Sequence, residues 1–236
     1  MKRILSLFLV GVLSFTLVAC GNNESNTNNN SSSSNNSAVS NDNNSDNSNL
    51  DLSIDSVKNA KETDVTFFDF KEVDGGVAIT DFNGDDEIVV VPSTIEGSDV
   101  VAIDKNTFIN NDTMKAVKIS DKVQTIGNSA FLNCVELETA VFGSGVKTVE
   151  MYAFNGCKKL CTVELNDGLE LLDGLCFGLT NITELEIPAS VKEINYPFTV
   201  NNDDHYINII GKSGSVTEKY VEENGESYHL IFQAKE

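Results

Sequence analysis

The chain has 236 residues, a length that suits one domain of ordinary size or one domain with appendages. It contains 36 acidic and only 16 basic residues, and a net charge of −20 leaves no cationic surface for a nucleic acid. Two histidines and no tryptophan leave few side chains from which to build a catalytic site. The composition therefore favours an interaction module over an enzyme or a nucleic-acid-binding protein.

The N-terminus has the pattern of a secretory signal. Lys2 and Arg3 precede a largely apolar run over residues 4–19, which is too short for a membrane-spanning helix. The run ends in Leu17-Val18-Ala19-Cys20, which resembles the lipobox of bacterial lipoproteins. The resemblance implies that residues 1–19 are a lipoprotein signal peptide and that Cys20 is lipidated, so that contact with the membrane comes through this lipid only. A plain signal peptide with a chance cysteine, or a retained anchor, is the alternative.

A tract of almost only asparagine and serine runs from Gly21 to Leu50. Such a tract has too few apolar side chains to offset the entropy lost on ordering. We therefore expect residues 20–62 to be a disordered tether, with a reach of roughly 30 Å for about 30 residues. The folded domain is predicted to span residues 63–236, extracytoplasmic and exposed at the cell surface.

A turn signal lies between two apolar runs at the start of this domain. The sequence Asp74-Gly75-Gly76 separates residues 65–70 from residues 77–80, and both runs are rich in β-branched and aromatic residues. We predict a β-hairpin that caps the N-terminal end of the domain. The pair Asn83-Gly84 marks a second turn before the next apolar run.

A repeat of about 23 residues follows. Its members are Phe108, Phe131, Phe154, Phe177 and Phe198, each preceded by an aliphatic residue: Ile103, Ile126, Val149, Leu172 and Ile194. An alternating apolar run after each of the first four phenylalanines predicts a short strand with alternate side chains inward. Stacked coils would share one core, and about six parallel strands would lie between residues 88 and 210.

The C-terminal end contains signals for a second cap. Ser215 and Glu218 have capping-box spacing, and Val216, Tyr220 and Val221 form one apolar helical face. We predict a helix that ends at Gly225, followed by a closing strand over residues 228–233.

The repeat pattern resembles the BspA-like, or Treponema pallidum-type, leucine-rich repeats of bacterial surface proteins. The clearest copies are Ala130-Phe131-Leu132-Asn133-Cys134 and Ala153-Phe154-Asn155-Gly156-Cys157. The resemblance implies a mostly β, α+β solenoid that recognises other molecules without covalent chemistry. Adhesion to a protein is the leading expectation, and a carbohydrate-binding accessory module is the alternative. Because Tyr196-Pro197 stands before Phe198 where alanine is usual, we expect the last coil to be irregular.

The cysteines fit this repeat better than a metal site. Cys134 and Cys157 occupy one repeat position, which predicts an interior ladder of small side chains, and Cys176 takes the position of an alanine. A bridge between Cys134 and Cys157, or a zinc site, is a weaker alternative. Only Cys161 lies off the repeat pattern.

Two acidic segments contain some of the residues that a metal-binding or catalytic site would need. Residues 81–87 place their glycine at the wrong position for a calcium loop, and residues 203–205 lack a second histidine or a nucleophile at a suitable spacing. We predict no metal, no cofactor and no catalytic residue.

The outward side chains of the predicted strands form the candidate binding face for an unknown extracellular protein or glycan. They are Lys118, Ser120, Thr139, Val141, Thr162, Glu164, Asn166, Glu184 and Glu186, with the small residues Ala116 and Gly143 among them. No aromatic stripe for stacking on sugar rings occurs in this set. A carbohydrate-binding role would therefore require Phe82, Tyr152 or Tyr196 to be exposed.

Overall fold

The structure is a computed structural model that describes residues 50–199 and 206–235. Cys20, residues 20–49 of the predicted tether, and residues 203–205 lie outside the described residues. The elements, in chain order, are α1 (Ile54–Lys58), a 3₁₀ turn (Val65–Phe67), β1 (Phe68–Val73), β2 (Gly76–Phe82), β3 (Ile88–Val90), β4 (Thr94–Ile95), β5 (Ser98–Ile103), β6 (Ala116–Lys118), β7 (Thr125–Ile126), β8 (Thr139–Val141), β9 (Thr148–Val149), β10 (Thr162–Glu164), β11 (Leu171–Leu172), β12 (Glu184–Glu186), β13 (Glu193–Ile194), β14 (Ile207–Lys212), α2 (Val216–Tyr228) and β15 (Leu230–Lys235).

The predicted N-terminal hairpin is present as β1 and β2. These strands pair antiparallel, from Phe68 opposite Phe82 to Val73 opposite Gly76. Gly75 at the turn has a φ of 82°, a conformation that glycine adopts without steric cost. The β2 strand then pairs in parallel with β5, so that the hairpin covers the first coil of the solenoid.

The front sheet consists of the strands that the alternating apolar runs predict. The strands β3, β6, β8 and β10 pair in parallel and in register, with Val89, Val117, Ala140 and Val163 in one inward row. The strands β12, β14 and β15 form a second parallel ladder. The predicted solenoid of about six strands is confirmed, and β15 adds a seventh.

The back sheet lies on the other side of the core. It contains β1, β2, β5, β7, β9, β11 and β13, and the last four of these strands have only two residues each. Its inward row consists of the aliphatic column before each phenylalanine: Ile103, Ile126, Val149, Leu172 and Ile194. The sequence pattern predicted an aliphatic column there but no second sheet.

The five repeat phenylalanines form a column of rings in the core. The ring centroids of Phe108 and Phe131 are 4.6 Å apart, and those of Phe131 and Phe154 are 4.7 Å apart. All five side chains are at most 2 % exposed. A single coil of the solenoid, here called a rung, cannot bury its apolar side alone. The phenylalanine column therefore joins the rungs into one core.

A ladder of small side chains runs beside the phenylalanines, as the repeat predicts. Cys134 and Cys157 are fully buried free thiols, and their Sγ atoms donate to the carbonyls of Phe108 and Phe131, each at 3.1 Å. Burial raises the pKa of the Cys157 thiol well above its ordinary value. These thiols therefore satisfy the backbone of the preceding rung and pack as small core residues.

Each regular rung also contains two residues in the left-handed backbone conformation, four positions apart. The pairs are Asn106 with Asn110, Ser129 with Asn133, Tyr152 with Gly156, and Leu175 with Leu179, and Tyr196 is left-handed in the last rung. Asparagine and glycine tolerate this conformation, but leucine and tyrosine are strained in it.

The C-terminal cap differs from the prediction at its helix end. The Ser215 side chain caps the start of α2 as predicted, but the helix continues through Gly225 to Tyr228 and ends at left-handed His229. Tyr220 and Val221 are buried against the solenoid core. The closing strand therefore begins at Leu230, and it pairs in parallel with β14.

Candidate recognition surface

The outward surface of the front sheet, here called the front face, contains the predicted binding residues in very different environments. Ser120, Thr139 and Val141 are buried. Four of the others are half-buried and two are exposed: Lys118, Thr162, Glu164 and Asn166 in the first group, and Glu184 and Glu186 in the second. The candidate binding face is therefore covered in its N-terminal half and open in its C-terminal half.

The cover over this half is the segment that precedes the hairpin, residues 50–62, here called the strap. Its helix α1 contacts β6 and β8, and the Val57 side chain is fully buried against Ala116 and Val141. Leu52 and Ile54 pack at the edge of the same cluster. Burying a valine side chain stabilises this contact by about 1.5–3 kcal/mol.

Polar contacts fix the strap at three further points. Thr139 Oγ1 donates to the carbonyl of Leu52 at 2.8 Å, and Lys118 Nζ donates to the carbonyl of Lys58 at 2.6 Å. Lys58 Nζ also forms an ion pair with Glu164 Oε1 at 2.6 Å. Because both partners of this ion pair are more than a third exposed, it adds less than about 1 kcal/mol.

Local sequence explains why so short a helix forms here. The Ser53 side chain accepts a hydrogen bond from Ser56 N, and Asp55 and Lys58 have the charges that suit the first and last turns. Beyond the helix, Thr63 exchanges hydrogen bonds with Val90 of β3. The predicted tether boundary at residue 62 is therefore too late in the chain, since the strap packs on the domain.

Two predicted face residues belong to turns between rungs. Ser120 Oγ donates to the carbonyl of Pro92 at 3.2 Å. Asn166 Nδ2 donates to the carbonyls of Ser144 and Val146 at 3.1 and 3.0 Å. The front strands end before these positions. The alternation of inward and outward side chains along a strand therefore does not extend to them. Their hydrogen bonds hold neighbouring coils together.

The C-terminal half of the front face is open and acidic. Glu184 and Glu186 of β12 are both exposed, and Asn208 Nδ2 donates to Glu184 Oε2 at 3.3 Å. Glu186 pairs with Lys235 of β15, and this hydrogen bond raises the pKa of the lysine. A depression of about 290 Å³ lies beside this pair, lined by Asp167, Glu186, Ile187, Pro188, Ala189, Gly211, Lys212 and Lys235.

Of the three aromatic residues that could stack on a sugar ring, one is buried and two are exposed. Phe82 is buried in the hairpin, whereas Tyr152 and Tyr196 are 37 % and 55 % exposed. The Tyr196 ring also contacts Tyr228, with centroids 5.9 Å apart. Tyr152 and Tyr196 occupy the same repeat position in two rungs, with Leu175 between them.

Neither a metal site nor a membrane-spanning helix is found in the described part of the chain. Residues 50–199 and 206–235 contain no cluster of three histidine, cysteine or acidic side chains placed to hold a metal ion. Their helices are also too short or too polar to cross a bilayer.

The stacked coils, the phenylalanine column and the two parallel sheets define a leucine-rich-repeat solenoid. Residues 91–203 match the family model of the BspA type leucine-rich repeat region in six copies. The repeats of this chain are therefore of BspA type, as the sequence motifs predicted. Proteins with such repeats are typically surface-associated binding modules without enzymatic activity.

The chain is similar to solved structures of bacterial leucine-rich repeat proteins, and the match to the first of them shows the shared fold. The leucine-rich repeat protein of T. pallidum is 26 % identical with a TM-score of 0.58, over 64 % of this chain and 71 % of that chain. A leucine-rich repeat protein from Bacteroides ovatus ATCC 8483 is 23 % identical with a TM-score of 0.47, over 61 % of this chain and 45 % of that chain. No curated protein sequence matches this chain.

Proposed function

We propose that this chain is a lipid-anchored bacterial surface protein that recognises other proteins through its front face and thereby supports adhesion. The observation that carries the proposal is the strap, because it is a peptide segment bound to the front face. The Val57 side chain packs against Ala116 and Val141. Lys58 pairs with Glu164 at the rim of this apolar contact. This is the arrangement of an apolar centre and a polar rim that protein interfaces use.

Charge indicates which proteins suit the open half of the face. Glu184 and Glu186 are exposed, and the whole chain has a large acidic excess. An acidic surface speeds encounter with a basic partner and repels an acidic one. We therefore propose basic extracellular proteins as partners.

Binding of the full chain to an array of extracellular proteins at physiological salt tests the recognition proposal. The double variant Glu184→Lys and Glu186→Lys is expected to weaken a saturable protein hit about tenfold or more. The matched control is the double variant Glu72→Lys and Glu193→Lys, an equal charge change at two exposed positions of the back sheet, which should leave binding unchanged. Equal loss in both variants, or no protein hit, would contradict a front-face recognition role.

The anchor is tested separately, and its support is the lipobox-like sequence that ends at Cys20. Cys20→Ala is expected to move the protein from the membrane fraction into the medium, because the acyl chains supply the membrane affinity. Cys176→Ala, a control at a buried core position, should leave it with the membrane. Retention of the Cys20→Ala variant in the membrane fraction would refute lipid anchoring.

The exposure of Tyr152 and Tyr196 favours carbohydrate binding as a second candidate function. Aromatic faces stack on the apolar faces of sugar rings, and these two exposed residues occupy the same repeat position in their rungs. A glycan hit on a matched array should be lost in Tyr196→Ala and kept in Glu184→Lys. The reverse pattern would assign the hit to the front face.

A further inference from the structure

Two outward positions of the front sheet hold apolar residues where solvent-facing strand positions are usually polar. They are Ala116 on β6 and Val141 on β8, and both are at most 3 % exposed. Both owe their burial to Val57 of the strap, which shares their cluster. Without the strap, an apolar patch would therefore open in the N-terminal half of the front face.

The strap makes few buried contacts with the rest of the domain. Apart from Val57, its residues are half-buried or exposed, and α1 has only five residues. Helices this short have little stability of their own in water, so α1 depends on its packing against the sheet. Segments with few buried contacts are the ones that open locally while the rest of a domain stays folded.

We propose that the strap is an autoinhibitory segment, which occupies the front face in competition with a protein partner and leaves it when the partner binds. This proposal rests on the proposed recognition function, whose surface it regulates. The partner that fits this surface is a protein segment with the same chemistry as the strap. It would place an apolar side chain on the patch and a cation beside Glu164. Partner affinity then depends on how often the strap is open.

A synthetic peptide of residues 50–63 tests the displacement without any natural partner. Carbodiimide cross-linking of the full chain should join Lys58 to Glu164, whose charged atoms are 2.6 Å apart, with loss of one water per amide formed. Excess peptide should lower this cross-link, identified by mass spectrometry, while the Lys159–Glu136 cross-link elsewhere on the solenoid stays constant. An unchanged Lys58–Glu164 yield at saturating peptide would overturn the proposal.

Two strap variants provide the complementary measurement. Val57→Asp places a charge against the apolar patch, and Lys58→Glu places a like charge beside Glu164, so both should open the strap. The labelled peptide should bind either variant at least about tenfold more tightly than the wild-type chain. A peptide that itself contains Val57→Asp should not bind, and equal binding of both peptides would contradict a specific surface.

A partner from the protein array separates the two proposals. If the strap is autoinhibitory, Val57→Asp should tighten partner binding about tenfold, whereas Lys61→Gln, an exposed strap change outside α1, should not. Displacement by peptide with no partner found would contradict the recognition function and with it autoinhibition, and would leave the strap only as a displaceable cover of the front face. A partner that binds wild type and Val57→Asp equally would refute autoinhibition and leave recognition intact.

Discussion

The central rungs, which contain Phe108, Phe131 and Phe154, stack their rings with interplanar angles of 5° and 3°. The C-terminal rungs, which contain Phe177 and Phe198, open to centroid distances of 5.6 and 6.3 Å and angles of 18° and 22°. The front ladder also divides there, between β10 and β12. A constant interval of 23 residues brings equivalent side chains into one column, and the shorter last interval displaces the final ring.

The difference extends to the residues around the rings. The second left-handed position is asparagine or glycine in all three central rungs but Leu179 in the Phe177 rung. Alanine precedes Phe131 and Phe154, whereas Cys176 precedes Phe177 and a proline precedes Phe198. A regular rung therefore requires suitable residues at several positions besides the phenylalanine. The comparison predicts that equivalent substitutions have unequal effects in the two regions.

The largest expected effect is at the ring column. Phe131→Ala should lower the free energy of unfolding by about 3–5 kcal/mol, because it removes a fully buried ring between two parallel neighbours. Phe198→Ala should lower the free energy of unfolding by about 1 kcal/mol less than Phe131→Ala does. The reason is that Phe198 stacks on a single ring, that of Phe177, at a longer centroid distance of 6.3 Å. Urea unfolding followed by circular dichroism measures both, and equal losses would remove the distinction between the regions.

Close backbone approach gives the second contrast. A Cβ at Gly143 would overlap the Ser120 carbonyl of the preceding coil, whereas a Cβ at Gly174 would make an ordinary contact of 3.6 Å with Met151. Gly143→Ala should therefore destabilise the domain by about 1–3 kcal/mol. Gly174→Ala should change stability by less than about 0.5 kcal/mol, and thermal unfolding of both variants checks this order.

Cys176 adds a pH dependence at a position that alanine, which has no ionisable group, occupies in the rungs of Phe131 and Phe154. Burial, with the nearby Asp173, raises the pKa of this thiol well above its ordinary value, so the folded state keeps a proton that the unfolded chain releases. Stability from this group is complete below about pH 8.5 and falls as pH rises above it, by about 1.4 kcal/mol per unit. Unfolding of wild type and Cys176→Ala under reducing conditions should therefore diverge between pH 8.5 and 10. Parallel curves would contradict a neutral buried thiol.

The smallest expected effect concerns backbone strain. Leu179 has a φ of 54° and is 44 % exposed, so Leu179→Asn should relieve strain with little loss of burial. A gain of about 0.5–1 kcal/mol is expected in the melting analysis. The reverse change in a central rung, Asn110→Leu, should cost a similar amount, and a loss at both positions would show that side-chain contacts outweigh strain.

Much of the architecture could be predicted because the repeat pattern depends on residues that are close together in the sequence. The intervals between phenylalanines, the alternating runs and Asp74-Gly75-Gly76 each act over a few residues, and every coil contacts mainly its neighbours. The front strands, the hairpin and the cysteine ladder were therefore found at their predicted places. The helix end at Gly225 was predicted wrongly, since packing of α2 against β15 continues the helix beyond a residue that often stops one.

The candidate surface shows what only the tertiary structure decided. Alternation correctly placed Val141 on the outward side, but it could not show that Val57, far away in the sequence, covers it. The available signal was slight, with Ser53 as a cap and two apolar residues at helical spacing after a polar tract. Repeated local spacing determines the solenoid from the sequence, whereas the strap forms only because folding brings a distant segment against an apolar patch.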